Sequence, residues 1–159
     1  MEQHILVRWL KILVIFMVIC GVAICVGALP LAGKELAVKY PEFAYCYYPW
    51  LVFLWIMALP CFAALRLAWK IFVNIEKDHS FCMENADYLK NISFLAGADA
   101  GILFFGNILF LLLGMNHPGI LLGALLVVII GVGISVAAAV LSHLVRKAAV
   151  LQEQSDLTI

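Results

Sequence analysis

Residues 92–115 read ISFLAGADAGILFFGNILFLLLGM, and this stretch decides the fold because it is long and apolar enough to cross a membrane. The hydrocarbon core of a bilayer is about 30 Å thick and needs roughly 20 consecutive apolar residues in an α-helix. The stretch holds one acidic side chain, Asp99. An isolated charge at that depth costs roughly 2.5–3.5 kcal/mol on insertion scales. Asp99 is therefore either held by a structural partner or part of a working site, and the sequence leaves both interpretations open.

Three further stretches have the same character, at residues 9–31, 49–73 and 119–144. The chain is 66% hydrophobic and 13% charged, with a mean hydropathy of +1.10, which is extreme for a soluble domain. Apolar runs this long exclude barrel strands, and helices are the other structure that satisfies the backbone in lipid. The sequence predicts an all-α polytopic membrane protein with four transmembrane helices in an antiparallel bundle. Residues 1–159 form one membrane domain with a short cytoplasmic tail at 145–159, and residues 152–159, QEQSDLTI, are expected to be frayed.

Basic residues predict the orientation of these helices, because lysine and arginine are retained on the cytoplasmic side. In a four-pass arrangement most of them fall at one end of the bundle: Arg8, Lys11, Arg66, Lys70, Lys77, Lys90, Arg146 and Lys147. Lys34 and Lys39 fall at the other end. We therefore expect both termini to be cytoplasmic, with the lipid bilayer as the first partner. The sequence has no basic stripe with interleaved aromatic residues, which argues against direct binding to nucleic acid.

Arg66 is the predicted partner of Asp99. Helix two descends towards the basic end and helix three returns from it, so both residues lie about seven positions, or roughly 10 Å, from the boundary there. Pairing lowers the cost of both charges. We expect an Arg66–Asp99 pair, with Lys70 and His143 as further neighbours. In the alternative, Arg66 extends to the headgroups while Asp99 faces a water-filled pocket or serves as a proton or ion relay.

Small residues predict where the helices approach one another closely. Gly97 and Gly101 form a G-x-x-x-G step in helix three, on the face almost opposite its acid, so this helix is expected to be central in the bundle or in an oligomer interface. In helix four, Gly119 precedes Gly123 by four residues, and Gly131 begins a row of small residues. Such rows indicate packing within one chain or, alternatively, a homo-oligomer.

The connection between helices two and three, residues 74–91, reads NIEKDHSFCMENADYLKN. Its apolar residues recur at helical spacing while its acidic residues fall on wetter faces, which predicts a short cytoplasmic amphipathic helix. This helix either lies along the inner membrane surface or extends directly into helix three. We expect it to be the docking surface for a cytoplasmic protein, through Phe81, Glu84, Asn85 and Tyr88, although a simple interfacial helix is the commoner outcome for such a pattern.

The outer connection at residues 33–48 is rich in aromatic side chains, whose amphipathic rings favour the headgroup region. We expect this connection to lie on the membrane, and a site for an external signal is the alternative. The second outer connection, residues 116–118, is so short that helices three and four must be antiparallel neighbours.

Catalytic chemistry has no support in the sequence. The five cysteines include no C-x-x-C pair, and the four histidines, His4, His79, His117 and His143, lack metal-ligand spacing. No hydrolase elbow, phosphate loop or paired carboxylates occur within the apolar stretches. We expect a protein that is not an enzyme and that binds no metal or cofactor.

Within residues 81–92, a phenylalanine, a small residue, a charged residue followed by asparagine, and then a leucine and an isoleucine form a recognisable pattern. The residues are Phe81, Cys82, Glu84, Asn85, Leu89 and Ile92. This pattern resembles an uncharacterised family of small bacterial four-helix membrane proteins typified by YoaS. Cys82 departs from the usual serine or threonine, which weakens the expected helix cap because a thiol accepts hydrogen bonds poorly. The resemblance implies no established activity, but it implies frequent encoding beside a small helix-turn-helix regulator.

These observations predict a non-enzymatic multi-pass protein of a bacterial cytoplasmic membrane. Its expected role is that of a regulatory or interaction partner, a tether or sensor for a cytoplasmic transcription regulator. The alternative is a small transporter or permease component in which Asp99 and Arg66 change partners as a cavity opens.

Overall fold

The computed structural model describes residues 2–156, and nearly all of them are helical. Its elements in chain order are α1 (Glu2–Ala23), a π-helical turn (Ile24–Ala28), α2 (Leu29–Lys39), a 3₁₀ turn (Pro41–Cys46), α3 (Tyr47–Glu76), α4 (Met83–Leu112) and α5 (Pro118–Asp156). Within the described residues, four helical stretches are long and apolar enough to cross a membrane: His4–Lys39, Pro41–Glu76, Met83–Leu112 and Pro118–Ser155. The predicted all-helical fold with four candidate spans is confirmed.

The helices pack in a row, in the order α1, α3, α4 and α5. Within residues 2–156, α1 contacts α3, α3 also contacts α4, and α4 also contacts α5, whereas α1 contacts neither α4 nor α5 and α3 does not contact α5. The predicted bundle is therefore corrected to an open row with α1 and α5 at its edges. Large apolar side chains stay exposed along both edges. Lipid accommodates them because its tails are as apolar as the side chains themselves.

The helices extend beyond the predicted spans. α5 has 39 residues and is about 58 Å long, against about 30 Å of hydrocarbon. Residues 145–156 of the predicted tail continue α5, so the expected fraying is corrected for residues 152–156, and residues 157–159 lie outside the described part. No glycine or proline interrupts residues 145–156, so nothing in the sequence ends the helix where the lipid ends.

α4 begins at Met83 and continues without a break to Leu112. A separate amphipathic helix does not form, because no glycine or proline lies between residues 83 and 96 to interrupt the backbone ladder. Of the two predicted arrangements, the structure therefore has the direct extension into the third span. Cys82 precedes the helix with an extended backbone and makes no side-chain cap. At the other end, Gly114 adopts a φ of 70°, a left-handed conformation that glycine reaches without steric cost.

The connection predicted at residues 33–48 is largely helical, because α2 continues the first span to Lys39. Pro30 lies at the start of α2 and has no N–H to donate to the preceding turn. The helix widens just before it into the π-helical turn Ile24–Ala28. Trp55 of α3 donates its indole N–H to the carbonyl of Cys25 in that turn at 3.0 Å. An aromatic side chain of the next span thus hydrogen-bonds to the irregular part of the first.

Hydroxyl groups on α5 bind backbone carbonyls of α4 along their contact. Ser142 Oγ donates to the carbonyl of Ala86 at 2.6 Å, and Ser135 Oγ donates to the carbonyl of Ser93 at 2.7 Å. A hydroxyl reaches a helix carbonyl only when the two backbones are close, so small side chains are needed along this contact. Each bond also satisfies a polar side chain that would otherwise face lipid.

Two of the predicted packing glycines lie in this contact between α4 and α5. A Cβ at Gly97 would lie 3.0 Å from Ser135 Oγ, and a Cβ at Gly131 would lie 3.2 Å from Ala100 Cβ. The other predicted positions have no atom of a neighbouring helix within 4 Å of such a Cβ: Gly101, Gly119 and Gly123. The spacing of small residues along the sequence therefore does not show which of them contact a neighbouring helix.

A closer approach occurs at Gly106, which the sequence did not single out. A Cβ at this position would overlap the ring of Phe53 on α3. That ring packs edge-on against Trp50 and Phe110, with ring centroids 5.9 and 5.2 Å away, so it has little room to move. The aromatic cluster of Trp50, Phe53 and Phe110 thus fixes the distance between α3 and α4 near Gly106.

We expect Gly106→Ala to lower the free energy of unfolding by about 1–3 kcal/mol, because the added methyl group displaces a ring held on two sides. Gly101→Ala on the same helix is the matched control and should be neutral or stabilising by up to about 1 kcal/mol. The measurement is SDS titration in mixed micelles, followed by tryptophan fluorescence. Equal stability of the two variants would contradict the packing described here.

Candidate functional site

Asp99 lies in the middle of α4 and faces α3. The thiol of Cys61 lies 3.6 Å from Asp99 Oδ2 and donates to it. Asp99 Oδ1 is buried and has no hydrogen-bond partner among the described residues. A carboxylate in a membrane span with one weak donor and one unsatisfied oxygen is an unusual arrangement, since buried polar groups are normally paired. Within residues 2–156, Asp99 Oδ1 is therefore the one buried side-chain nitrogen or oxygen atom without a hydrogen-bond partner.

Arg66 does not pair with Asp99, and the predicted ion pair is corrected. The two residues were placed at similar depth, but depth does not fix direction around the helix axis. Cys61, which contacts Asp99, and Arg66 are five residues apart on α3, or about 140° apart at 100° per residue. Arg66 is exposed and lines a groove between α1 and α3. Within residues 2–156 it forms no ion pair or hydrogen bond.

The other predicted neighbours of Asp99 also lie elsewhere. The ammonium of Lys70 lies over the ring of Tyr88 on α4, 5.2 Å from its centroid. His143 is exposed on α5, which does not contact α3, and it makes no bond to Asp99 in the described part of the chain. The predicted cluster of four polar side chains is therefore not assembled in this structure.

Two ion pairs lie near the connection between α3 and α4, at the end of the row that we call the basic end. The basic end comprises the connection between α3 and α4 and three contacts beside it: Lys11 with Glu76, Lys70 with Tyr88, and Arg146 with Asp87. Lys11 pairs with Glu76, which joins α1 to the last turn of α3. Arg146 pairs with Asp87 at 2.6 Å, which joins α5 to the second turn of α4. Both pairs are partly exposed, so each contributes little to stability beyond fixing geometry.

Asn85 is the centre of a polar network at the basic end. Its side chain is 1% exposed. Its amide accepts a hydrogen bond from Asn74 Nδ2 at 2.9 Å and donates to the carbonyls of His79 and Ser80 at 3.1 and 3.0 Å. The network ties the last turn of α3, the connecting loop and the first turn of α4 into one unit. Asn85 was predicted to dock a partner, and its burial corrects that prediction.

The other predicted docking residues at the basic end are more accessible. Phe81 is 57% exposed and Glu84 is exposed, whereas Tyr88 is half-buried beneath Lys70. Sequence reasoning missed the role of Asn74, although an asparagine at the end of an apolar span, a few residues before a second asparagine, is a usable signal for a polar clamp.

A second asparagine network lies at the opposite end, which we call the aromatic end and which comprises the turn Pro41–Cys46 and residues 113–117. Asn107 is 1% exposed, accepts from Asn116 Nδ2 at 2.9 Å and donates to the carbonyl of Leu103 at 2.9 Å. Trp50 Nε1 donates to the carbonyl of Met115 at 3.0 Å. This network could have been predicted from Asn107, because a polar residue within an apolar stretch needs a hydrogen-bond partner, but the sequence analysis did not consider this residue.

A cavity of about 500 Å³ opens at the aromatic end. It lies between α2, the start of α3 and the connection between α4 and α5, and its walls include Leu36, Tyr47, Trp50, Leu54, Met115 and His117. Gly33 is required in its wall, because a Cβ there would lie 2.6 Å from the ring of Tyr47. The aromatic residues of the connection predicted to lie on the membrane are thus placed in two ways. Three of them line this cavity, Tyr40, Phe43 and Tyr47, and two are exposed outside it, Tyr45 and Tyr48.

The four spans and the ordered polar ends define a polytopic helical membrane protein. The chain belongs to a family described as "Protein of unknown function (DUF2975)", whose model matches residues 31–159. It is 29% identical over 153 residues to the "Uncharacterized membrane protein YoaS" of Bacillus subtilis (strain 168), covering 95% of this chain and 96% of that protein. No solved structure matches the chain. The expected resemblance is confirmed, and it assigns a membrane family without an activity.

We expect Asn85→Ala to lower the free energy of unfolding by about 1–3 kcal/mol, because it removes one donor to the carbonyls of His79 and Ser80 and the shortest bond of Asn74 Nδ2. Asn91→Ala changes an exposed asparagine two turns further along α4 and should stay within about 0.5 kcal/mol of the native protein. Thermal unfolding in detergent, followed by circular dichroism, compares the two. A larger loss for Asn91→Ala would contradict the central role of Asn85.

Proposed function

We propose that this protein is a non-enzymatic regulatory protein of a bacterial cytoplasmic membrane, with its basic end and both termini in the cytoplasm. In this proposal it tethers, or senses for, a cytoplasmic helix-turn-helix regulator. Basic residues concentrate at one end of the row, and the positive-inside rule assigns that end to the cytoplasm. The contacts of Ser142 with Ala86 and of Ser135 with Ser93 support antiparallel packing of α4 and α5.

The observation that carries the proposal is the length of ordered helix that α5 adds at the basic end. α5 continues for 14 positions beyond Ser142, from Ser142 to Asp156, or roughly 21 Å. Its base is fixed to α4 by the Ser142 hydroxyl and by the Arg146–Asp87 ion pair. The Asn74–Asn85 network holds the adjacent loop in place. A lipid anchor needs no such ordered extension, whereas a docking platform does.

We call the loop before α4, the first turn of α4 and the end of α5 the docking platform. Its surface suits a protein partner. Phe81 and Met83 are 57% and 43% exposed at the start of α4, and Leu151 is 58% exposed near the end of α5. Exposed apolar side chains beside charged ones are typical of protein interfaces, where a few large residues supply most of the binding energy.

The test is photocrosslinking in the native membrane, with benzoylphenylalanine incorporated at position 81 and, as the matched control, at position 43. Phe43 is 53% exposed at the aromatic end, so both probes replace similarly accessible rings. We expect position 81, and not position 43, to capture a DNA-binding regulator. Phe81→Ser should weaken binding of the purified regulator at least about fivefold, as for loss of an interface anchor.

Capture of the regulator from position 43, or equal binding by native protein and Phe81→Ser, would contradict the proposal. Phe43→Ser is the companion variant, because it removes the same chemical group from the opposite end. The asparagine networks are untouched by either change, so both variants are expected to fold.

The second candidate function is transport, and the unsatisfied oxygen of Asp99 is the observation that favours it. A carboxylate without a cationic partner in a span is suited to carry a proton or bind a substrate cation. Arg66 faces away from Asp99, so a partner exchange between them requires rotation of α3. The open row also supplies no ring of helices around Asp99. These features favour the regulatory proposal.

Proton flux in liposomes distinguishes the two functions. If the protein is regulatory, native protein and Asp99→Asn should give the same flux as empty liposomes, because no pathway crosses the row. Flux by the native protein that is lost in Asp99→Asn and kept in Cys61→Ala would instead establish transport and overturn the regulatory proposal. Circular dichroism of the reconstituted variants controls for their folding.

A further inference from the structure

The groove between α1 and α3 that Arg66 lines has a volume of about 580 Å³ and lies on the face of the row. It is lined mainly by apolar side chains: Val14, Val18, Phe62, Leu65 and Trp69. Arg66 and Lys70 are its charged residues. The groove opens sideways, along helices that are candidate membrane spans, so the medium that meets it is the bilayer. Its walls therefore suit a hydrocarbon chain rather than a water-soluble molecule.

The two cations of the groove have no acidic partner. Arg66 and Lys70 are four residues apart on one face of α3, a spacing at which like charges repel. Lys11, the next cation towards the basic end, is neutralised by Glu76, and Asp99 contacts Cys61 instead. Lys70 has a ring as its neighbour, Tyr88, but forms no ion pair within residues 2–156. Two positive charges thus line an apolar groove, and neither has an acidic partner within residues 2–156.

We propose that this groove binds an anionic phospholipid. Its phosphate lies between Arg66 and Lys70, and an acyl chain fills the groove between α1 and α3. Arginine binds phosphate with two parallel hydrogen bonds and lysine adds a point charge, so the pair is suited to one phosphate group. Trp69 lines the same groove, and its amphipathic ring favours the depth of the glycerol backbone. Charge and shape select the same occupant, independently of the regulatory role proposed above.

The experiment is native mass spectrometry of the purified full-length protein, titrated with palmitoyl-oleoyl phosphatidylglycerol or with phosphatidylcholine carrying the same chains. The test variant is Arg66→Gln with Lys70→Gln. Its matched control is Lys34→Gln with Lys39→Gln, which removes the same charge from exposed positions towards the aromatic end. A third variant, Val18→Trp, fills the groove and leaves both cations in place.

We expect phosphatidylglycerol to bind more tightly than phosphatidylcholine. The Arg66→Gln, Lys70→Gln variant should lose roughly tenfold in affinity for phosphatidylglycerol, because two charged contacts to the phosphate are removed. Val18→Trp should also weaken binding, and the control variant should bind as the native protein does. Arg66→Lys keeps the positive charge but not the two parallel hydrogen bonds, so its affinity for phosphatidylglycerol should lie between those of the native protein and the glutamine variant.

Equal binding of the two lipids, or equal losses in the test and control variants, would overturn the proposal. Loss in the glutamine variant together with unchanged binding by Val18→Trp would also overturn it, because the lipid would then be attracted by the cations without entering the groove. Circular dichroism of every variant checks that the helices are intact.

Discussion

The rest of the structure depends on how α4 satisfies its polar groups in lipid. This helix contacts both neighbours in the row and contains Asn85, Ser93 and Asn107. The two asparagines bond to the connections at either end of the helix, and the backbone at Ser93 accepts a bond from α5. An unpaired polar group in hydrocarbon costs several kcal/mol, so each bond restricts where a neighbour can sit. Asp99 is the exception among them, since one of its oxygens has no partner.

Tryptophan side chains satisfy the backbone where the helices are irregular. Trp55 donates to Cys25 in the π-helical turn, and Trp50 donates to Met115 after the left-handed glycine that ends α4. An indole is large enough to fill apolar space and carries a single donor, so it can reach an exposed carbonyl without burying a second polar group. Both donors come from α3. This helix therefore joins the first span to the connection that follows α4 through aromatic side chains and backbone carbonyls.

The sequence was sufficient for the four spans and the membrane class, because hydropathy and length decide both in lipid. It placed Arg66 and Asp99 at similar depth, but it had no information on rotation about the axis of α3, which turns Arg66 towards α1. Asn85 was predicted to be accessible because it lies among charged residues. The sequence pattern does not show that its amide is buried as the donor to the carbonyls of His79 and Ser80. The helix ends were also set too early, since a helix that leaves lipid continues until a residue stops it.

The open row makes packing local along the chain. Each span contacts the one made just before it and the one made just after it, and α1 and α5 never meet within residues 2–156. A closed ring of helices is complete only when its last member meets its first. This chain needs no such step, because each span after the first contacts the span that precedes it in the chain, which has already been synthesised. Assembly can therefore follow the order of synthesis, with no early helix left waiting for a late partner.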